Sequence, residues 1–128
     1  MRWCLEDHSP YAEKVLDEII AGEQAYVPAL WLYEAISGYG GIGTKRLSHP
    51  LKAQGFFEDL RVLDIEVDSA TELSHIFGAA HRLAIKYGLT GYDAAYLELA
   101  LRTGLPLASL DKDLNKAALR AGVTLVQP

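Results

Sequence analysis

The sequence predicts an α/β fold with a short parallel sheet, and three observations lead to this prediction. The second half of the chain alternates helical and strand patterns, with "LPLASL" and "VTLV" as its strand candidates. Such alternation is typical of parallel sheets. The segment "VLDIEVD" alternates apolar and acidic residues, which is the period of a strand. The short strand candidate "AYVP" ends in Pro28, a residue suited to begin the next helix.

Capping residues and apolar stripes predict the helices. Thr90 is expected to cap a helix that ends at Gly104, with Asp93 in its first turn, and the helix before it spans 69–87. Their predicted core-facing residues are Leu73, Ile76, Phe77, Ala80, Leu83 and Ala84 on the first, and Tyr92, Ala95, Tyr96, Leu99 and Ala100 on the second. Further helices are predicted over 9–22, 28–36, 50–60 and 111–122.

Length, charge and cysteine content narrow the classes of protein. The 128 residues fit one domain, 1–128, and the formal net charge of −5 disfavours binding of nucleic acid through bulk charge alone. Cations bound at an acidic site would make the electrostatic potential positive at that site. Cys4 is the single cysteine, which excludes an intramolecular disulfide and a Cys-rich zinc site. With no secretory signal and no membrane-length apolar stretch visible, we expect a cytoplasmic protein.

Three acids are candidates for one metal site. Asp111 follows the strand candidate "LPLASL", Asp93 lies in the first turn of a helix, and Glu34 lies about two turns into the helix after "AYVP". Sites in open parallel sheets form at the carboxyl ends of strands and at nearby helix N-termini, so these acids could converge. Clustered carboxylates repel one another, and a Mg²⁺ ion would relieve that repulsion.

Each acid also has an ordinary structural interpretation. Asp93 could serve only the helix dipole, Asp111 could be a turn and N-cap residue, and Glu34 could be a solvated helix residue. Asp113 fits a first-turn acid or a group that supports the site. The histidines, including His75 and His81, favour exposed or packed positions over metal ligation.

Two segments resemble motifs of a known family. "VPALWLYE" and "YGLTGYDAAYLELALRTGLPLASLDKDL" resemble the acidic motifs of the PIN domain, in particular the VapC type of toxin–antitoxin systems. The resemblance covers nearly the whole chain and implies a three-layer α/β/α fold. It implies that Glu34, Asp93 and Asp111 hold Mg²⁺ or Mn²⁺ and cleave RNA, with Ser109 as a hydrogen-bonding support beside Asp113.

The resemblance also implies partners. A VapC-type protein is a metal-dependent endoribonuclease that acts on RNA, is bound by a VapB-like antitoxin and forms a homodimer. Lys45, Arg46 or Lys112 could contact the RNA backbone. The alternative is a catalytically degenerate PIN-like module that binds an antitoxin or RNA without cleaving it. A third reading is a structure-specific DNA nuclease.

The sequence departs from the family pattern in two places. The family begins with a strand that carries its first catalytic aspartate, whereas "MRWCLED" is similar to the residues just after that strand. We therefore expect the first central strand and the first acid to be missing, since Asp7 lies beyond that position. The segment 38–43 carries four glycines where the family continues a helix. An antitoxin would dock on the first helices, with Tyr11, Trp31 and Tyr39 as candidate contacts and Trp31 alternatively in the core.

Overall fold

The computed structural model describes residues 24–33, 58, 61, 64–69, 72–109 and 111–126. Its strands are β1, Ala25–Val27, and β2, Ile65–Val67. Its helices are α1, which joins Leu73–His75, the π-helical Ile76–Ala80 and His81–Tyr87, then α2, Gly91–Thr103, and α3, Lys112–Arg120. A helical turn covers 30–33. The predictions for the helix 9–22, the segment 38–43 and the first strand lie outside the described residues.

Parallel pairing defines the sheet. β1 and β2 run parallel, with Ala25 opposite Ile65. A parallel bridge joins Leu107 to Leu125, where the Leu107 N–H donates to the carbonyl of Thr124 at 2.8 Å. The α/β prediction with a short parallel sheet is therefore confirmed. The strand candidates "LPLASL" and "VTLV" are therefore paired with each other at Leu107 and Leu125.

The core lies between the sheet and the helices α2 and α3. Its fully buried large side chains are Val27, Tyr96, Leu97, Leu107 and Leu114. Trp31 is buried in the same cluster with 4% of its surface exposed, so of its two predicted alternatives, antitoxin contact or core residue, the core position is confirmed. The other two candidate contacts, Tyr11 and Tyr39, lie outside the described residues.

The core-facing stripe of α2 differs from the predicted one. Leu97 is fully buried, whereas Tyr92 is 70% exposed although it was expected to face the core. The buried face follows Asp93, Tyr96, Leu97 and Ala100, which is the spacing i, i+3, i+4, i+7 of one helical face. Tyr92 precedes the first member of that face by one residue, or about 100° around the helix, and so reaches solvent.

The predicted core-facing stripe of α1 is also partly wrong. Leu73 and Phe77 are each 71% exposed and Ile76 is 41% exposed, although all three were expected to face the core. Five residues of α1, Ile76–Ala80, are π-helical. A π-helical segment closes its hydrogen bonds at i→i+5, so the 3.6-residue period does not continue through it. Leu83, beyond this segment, packs against the core as predicted.

A polar cluster on β1 and β2 gives a pH-dependent prediction. The Tyr26 hydroxyl donates a hydrogen bond to Glu66, and this bond is the main reason that the pKa of Tyr26 is raised above its usual value near 10. The negative charge of Glu66 is the second cause. Stability from this contact should be present below pH 10 and be lost as the pH rises through the raised pKa, because the folded state then holds the proton more tightly. NMR titration of ring-labelled tyrosines should show one late-titrating signal that moves to lower pH in Glu66→Gln; an unmoved signal would contradict the contact.

Candidate metal centre

Asp93 is buried at the N-terminal end of α2. Gly88, with φ of +63°, ends α1, and Thr90 then caps α2 by accepting a hydrogen bond from the Asp93 N–H at 3.1 Å. The Asp93 residue is only 7% exposed. The N-terminal helix dipole favours a carboxylate there, yet burial of a charge still requires a compensating partner. Burial next to the core makes Asp93 more than a surface capping acid.

Asp111 is the N-cap of α3. Its Oδ1 accepts a hydrogen bond from the Leu114 N–H at 2.9 Å, so the ordinary N-cap interpretation describes one of its oxygens. A carboxylate offers two oxygens with about four lone-pair sites in total, so an aspartate that caps a helix can also be a metal ligand. Asp113 is exposed in the first turn of the same helix.

Ser109 and Asn115 fix the turn that carries Asp111. The buried Ser109 Oγ accepts a hydrogen bond from the Asp111 N–H at 3.0 Å. The Asn115 side-chain Nδ2 donates to the Ser109 carbonyl at 2.8 Å. These two bonds hold the backbone that leads into Asp111, so the direction of the Asp111 side chain is set by the turn as well as by its cap.

The two acids belong to elements that share one core. Tyr96 and Leu97 of α2 pack in the same cluster as Leu114 of α3. Glu34 lies outside the described residues. Within the described ranges, no three His, Cys, Asp or Glu side chains come together as a metal-binding group. This absence applies to Asp93 and Asp111, and it does not extend to Glu34, the third predicted ligand.

The described donors suit a hard divalent cation. Asp93 and Asp111 supply carboxylate oxygens, the ligand type that Mg²⁺ and Mn²⁺ prefer. The Oδ1 of Asn115, on the side chain that anchors the turn before Asp111, is a buried oxygen that has no hydrogen-bond partner among the described residues. A buried acceptor without a partner costs about 1–3 kcal/mol, which a hydrated cation near this turn would relieve. The chemistry of these donors therefore fits a hard divalent cation.

A second buried acid, Glu98, was not singled out from the sequence. Glu98 is 8% exposed, and Arg102 Nε donates to its Oε1 at 2.8 Å. Arg102 also donates to Asp68, just after β2, with Nη1 lying 3.2 Å from Oδ1. Hydrogen bonding to Glu98 first, and to Asp68 second, raises the pKa of the Arg102 guanidinium. This cluster joins α2 to the end of β2, and the i,i+4 spacing of Glu98 and Arg102 was the available sequence signal.

His75 of α1 touches the same cluster. Its Nε2 lies 3.0 Å from Glu98 Oε2, which is an ion-pair distance, but the ring N–H is not aligned as a hydrogen bond. The two side chains are therefore in contact without a hydrogen bond. Because Arg102 already provides the cation for Glu98, this cluster is a structural tie between α1, α2 and β2. His75 is accordingly a packed residue, as the sequence indicated.

Comparison with known families identifies the chain. The model of the PIN domain matches residues 3–119, and the chain therefore belongs to the PIN domain family. PIN domains are generally metal-dependent nucleases and typically use divalent metal ions. No curated protein matches the chain. In the described part, no helix has both the length and the apolar character needed to cross a membrane.

Proposed function

We propose that this protein is a metal-dependent endoribonuclease of the VapC type. Membership of the PIN domain family supports nuclease chemistry. The observation that carries the proposal is the buried carboxylate of Asp93 at the start of α2, in the same core as the helix that Asp111 caps. A carboxylate in this position could hold a metal ion that also contacts a phosphate of the nucleic acid.

In this proposal Glu34, Asp93 and Asp111 hold Mg²⁺ or Mn²⁺. When bound, such an ion activates water and offsets the charge that builds on the phosphodiester. Ser109 keeps Asp111 in register through the hydrogen bond to its N–H. Lys112, exposed and directly after Asp111, contributes a positive charge to the RNA backbone.

Cleavage of a defined RNA tests the reaction. The full chain is incubated with end-labelled single-stranded RNA and Mn²⁺, and fragments are resolved by electrophoresis. We expect internal cleavage that stops when EDTA removes the ion. RNA that is bound but stays intact under every metal condition would instead identify the non-cleaving module.

Asp111→Asn separates the cap from the metal-binding role. Asparagine caps helices about as well as aspartate, so the free energy of unfolding should change by less than about 0.5 kcal/mol. Loss of the ligand charge should lower the cleavage rate by at least about tenfold. Removing a residue that merely hydrogen-bonds to a metal ligand already costs about 10-fold to 100-fold in activity. The measurements are urea denaturation and initial cleavage rates. Equal activity of Asp111→Asn and the parent chain would assign Asp111 to capping alone.

The toxin role adds partners to the proposal. We propose a homodimer in the cytoplasm whose activity is blocked by a VapB-like antitoxin. Expression of the chain should arrest bacterial growth, and co-expression of the protein encoded next to it should restore growth. The Asp93→Asn variant is the matched control, since it should be harmless and still bind the antitoxin. Growth arrest by that variant would show that toxicity does not come from RNA cleavage.

A further inference from the structure

An open groove of about 510 Å³, the α1–α2 groove, lies between helices α1 and α2. Ala79 and Leu83 of α1 and Leu101 of α2 form the apolar part of its lining, and Leu101 is 40% exposed. Pockets that bind ligands commonly have volumes of about 300–1,000 Å³. The α1 side of the groove extends from Ala79 to Lys86, which is about 10 Å along a helix. An extended peptide spans this length with about three residues, so the groove has the size of a short peptide site.

Two cations on one face of α1 give the groove its charge. Arg82 and Lys86 both line it, and at the spacing i, i+4 their side chains are neighbours. Both residues are exposed, and neither forms an ion pair with an acidic side chain in the part of the chain that the structure describes. Lys86 Nζ lies 5.4 Å from the centroid of the Tyr87 ring, a contact that leaves its positive charge uncompensated. In a chain of net charge −5, this groove is therefore suited to an acidic partner.

The acid in the groove lining is already paired. Glu98 Oε1 accepts a hydrogen bond from Arg102 Nε at 2.8 Å, and Glu98 Oε2 accepts one from Arg102 Nη2 at 3.3 Å. This two-point contact satisfies a side chain that is only 10% exposed. A basic partner would therefore meet the charges of Arg82 and Lys86 without finding an unpaired carboxylate among the described lining residues. The groove thus disfavours positive charge as well as attracting negative charge.

We propose that the α1–α2 groove binds a short peptide segment of a partner protein, in which an apolar side chain is flanked by glutamate or aspartate. The apolar side chain contacts Leu83 and Leu101, and the flanking carboxylates pair with Arg82 and Lys86. The sugar–phosphate backbone of RNA would meet the same two cations, but it has no apolar side chain to place against this lining. The inference goes beyond the proposed function and involves none of the proposed metal ligands, so it holds whether or not the chain cleaves RNA.

An NMR titration of the full ¹⁵N-labelled chain tests the proposal. The probe is a peptide of about five residues with leucine at its centre and glutamates on both sides, long enough to cover the groove and its two ends. We expect amide shifts that saturate and that concentrate on the stretches of α1 and α2 that line the groove. The matched peptide with lysines in place of the glutamates should cause no such shifts. The Kd follows from the concentration dependence of the shifts.

Variants of the groove separate its charge from its apolar lining. The double variant Arg82→Gln/Lys86→Gln should weaken peptide binding by about 2-fold to 30-fold, the equivalent of two exposed ion pairs. Leu101→Gln should weaken it by about 3-fold to 8-fold, since the peptide covers the part of Leu101 that solvent now reaches.

Two control variants make the same changes on α3. Lys116 is an exposed cation and Leu119 is 61% exposed, and neither lines the groove. Lys116→Gln and Leu119→Gln should therefore leave the Kd of the peptide unchanged. The dispersion of the amide spectrum verifies that each variant is folded.

The outcomes also separate this inference from the proposed function. Peptide binding by a chain that cleaves no RNA would keep the peptide site and overturn the nuclease, and cleavage without peptide binding would do the reverse. Equal binding of the lysine peptide, or an unchanged Kd in the groove variants, would overturn the peptide site. Displacement of the peptide by single-stranded RNA would assign the groove to RNA, and groove amides that shift on dilution of the protein alone would assign it to a second copy. Either result would overturn the inference.

Discussion

Asp93→Asn is expected to lower metal-dependent RNA cleavage by at least about 100-fold, because it removes a buried carboxylate from the proposed ligands. Asparagine has nearly the same shape, so the Thr90 cap and the packing of α2 should survive. The lost interaction with the helix dipole is worth at most about 1 kcal/mol. Initial rates of RNA cleavage in Mn²⁺ measure the effect, and urea denaturation verifies that the variant is folded.

Asp113→Asn is the matched control for this prediction. Asp113 is also a first-turn aspartate, on α3, but its side chain is exposed. Cleavage by this variant should stay within about twofold of the parent, since surface changes of this kind shift energies by less than about 0.5 kcal/mol. A loss as large as that of Asp93→Asn would place Asp113 among the ligands. Full activity of Asp93→Asn would remove Asp93 from the site.

Glu98→Ala should cause a large loss of stability without directly touching the proposed site. The carboxylate of Glu98 is 10% exposed and is bound by Arg102, which among the described residues would retain Asp68 as its one carboxylate partner. Removing one member of a buried ion pair typically costs about 3–5 kcal/mol. Because the Arg102 side chain is 35% exposed, we expect about 2–4 kcal/mol from urea denaturation.

Two further variants show whether the loss comes from the ion pair. Glu72→Ala removes an exposed glutamate that makes no capping hydrogen bond and should change stability by less than about 0.5 kcal/mol. The double variant Glu98→Ala/Arg102→Ala should be less destabilised than the sum of the two single variants, since the pair is coupled. Additive losses would show that Glu98 contributes through packing alone.

Local features of the fold were predictable because they depend on neighbouring residues. Thr90 accepts the hydrogen bond from the Asp93 N–H that its capping position predicts, and Gly104 ends α2 with a φ of +70°. The parallel sheet followed from alternation of helices and strands. These features need only backbone geometry and a few adjacent side chains.

Which face of a helix is buried depended on contacts from elsewhere in the chain. The π-helical segment of α1 accompanies the exposure of Phe77, and Glu98 of α2 is buried where the Arg102 guanidinium compensates its charge. Neither feature can be predicted from the periodicity of the apolar residues. Tyr92 likewise changed from a predicted core residue to an exposed ring.

For the candidate site, the sequence located the acids but not their surroundings. It left Asp93 and Asp111 open between capping and metal binding. The structure shows Asp93 buried and Asp111 capping α3 through one oxygen. The Asn115 side chain beneath the Asp111 turn had no recognisable pattern, because its role depends on the Ser109 carbonyl that it contacts. The convergence of Glu34 with these residues stays a prediction.

A crystal structure of the full chain grown with Mn²⁺ and RNA-free buffer would test that convergence most directly. Anomalous scattering from manganese locates the ion without reference to the protein model. We predict one strong peak within coordination distance of carboxylate oxygens from Glu34, Asp93 and Asp111. A peak at another position, or side chains of the three acids that are too far apart to share one ion, would contradict the account.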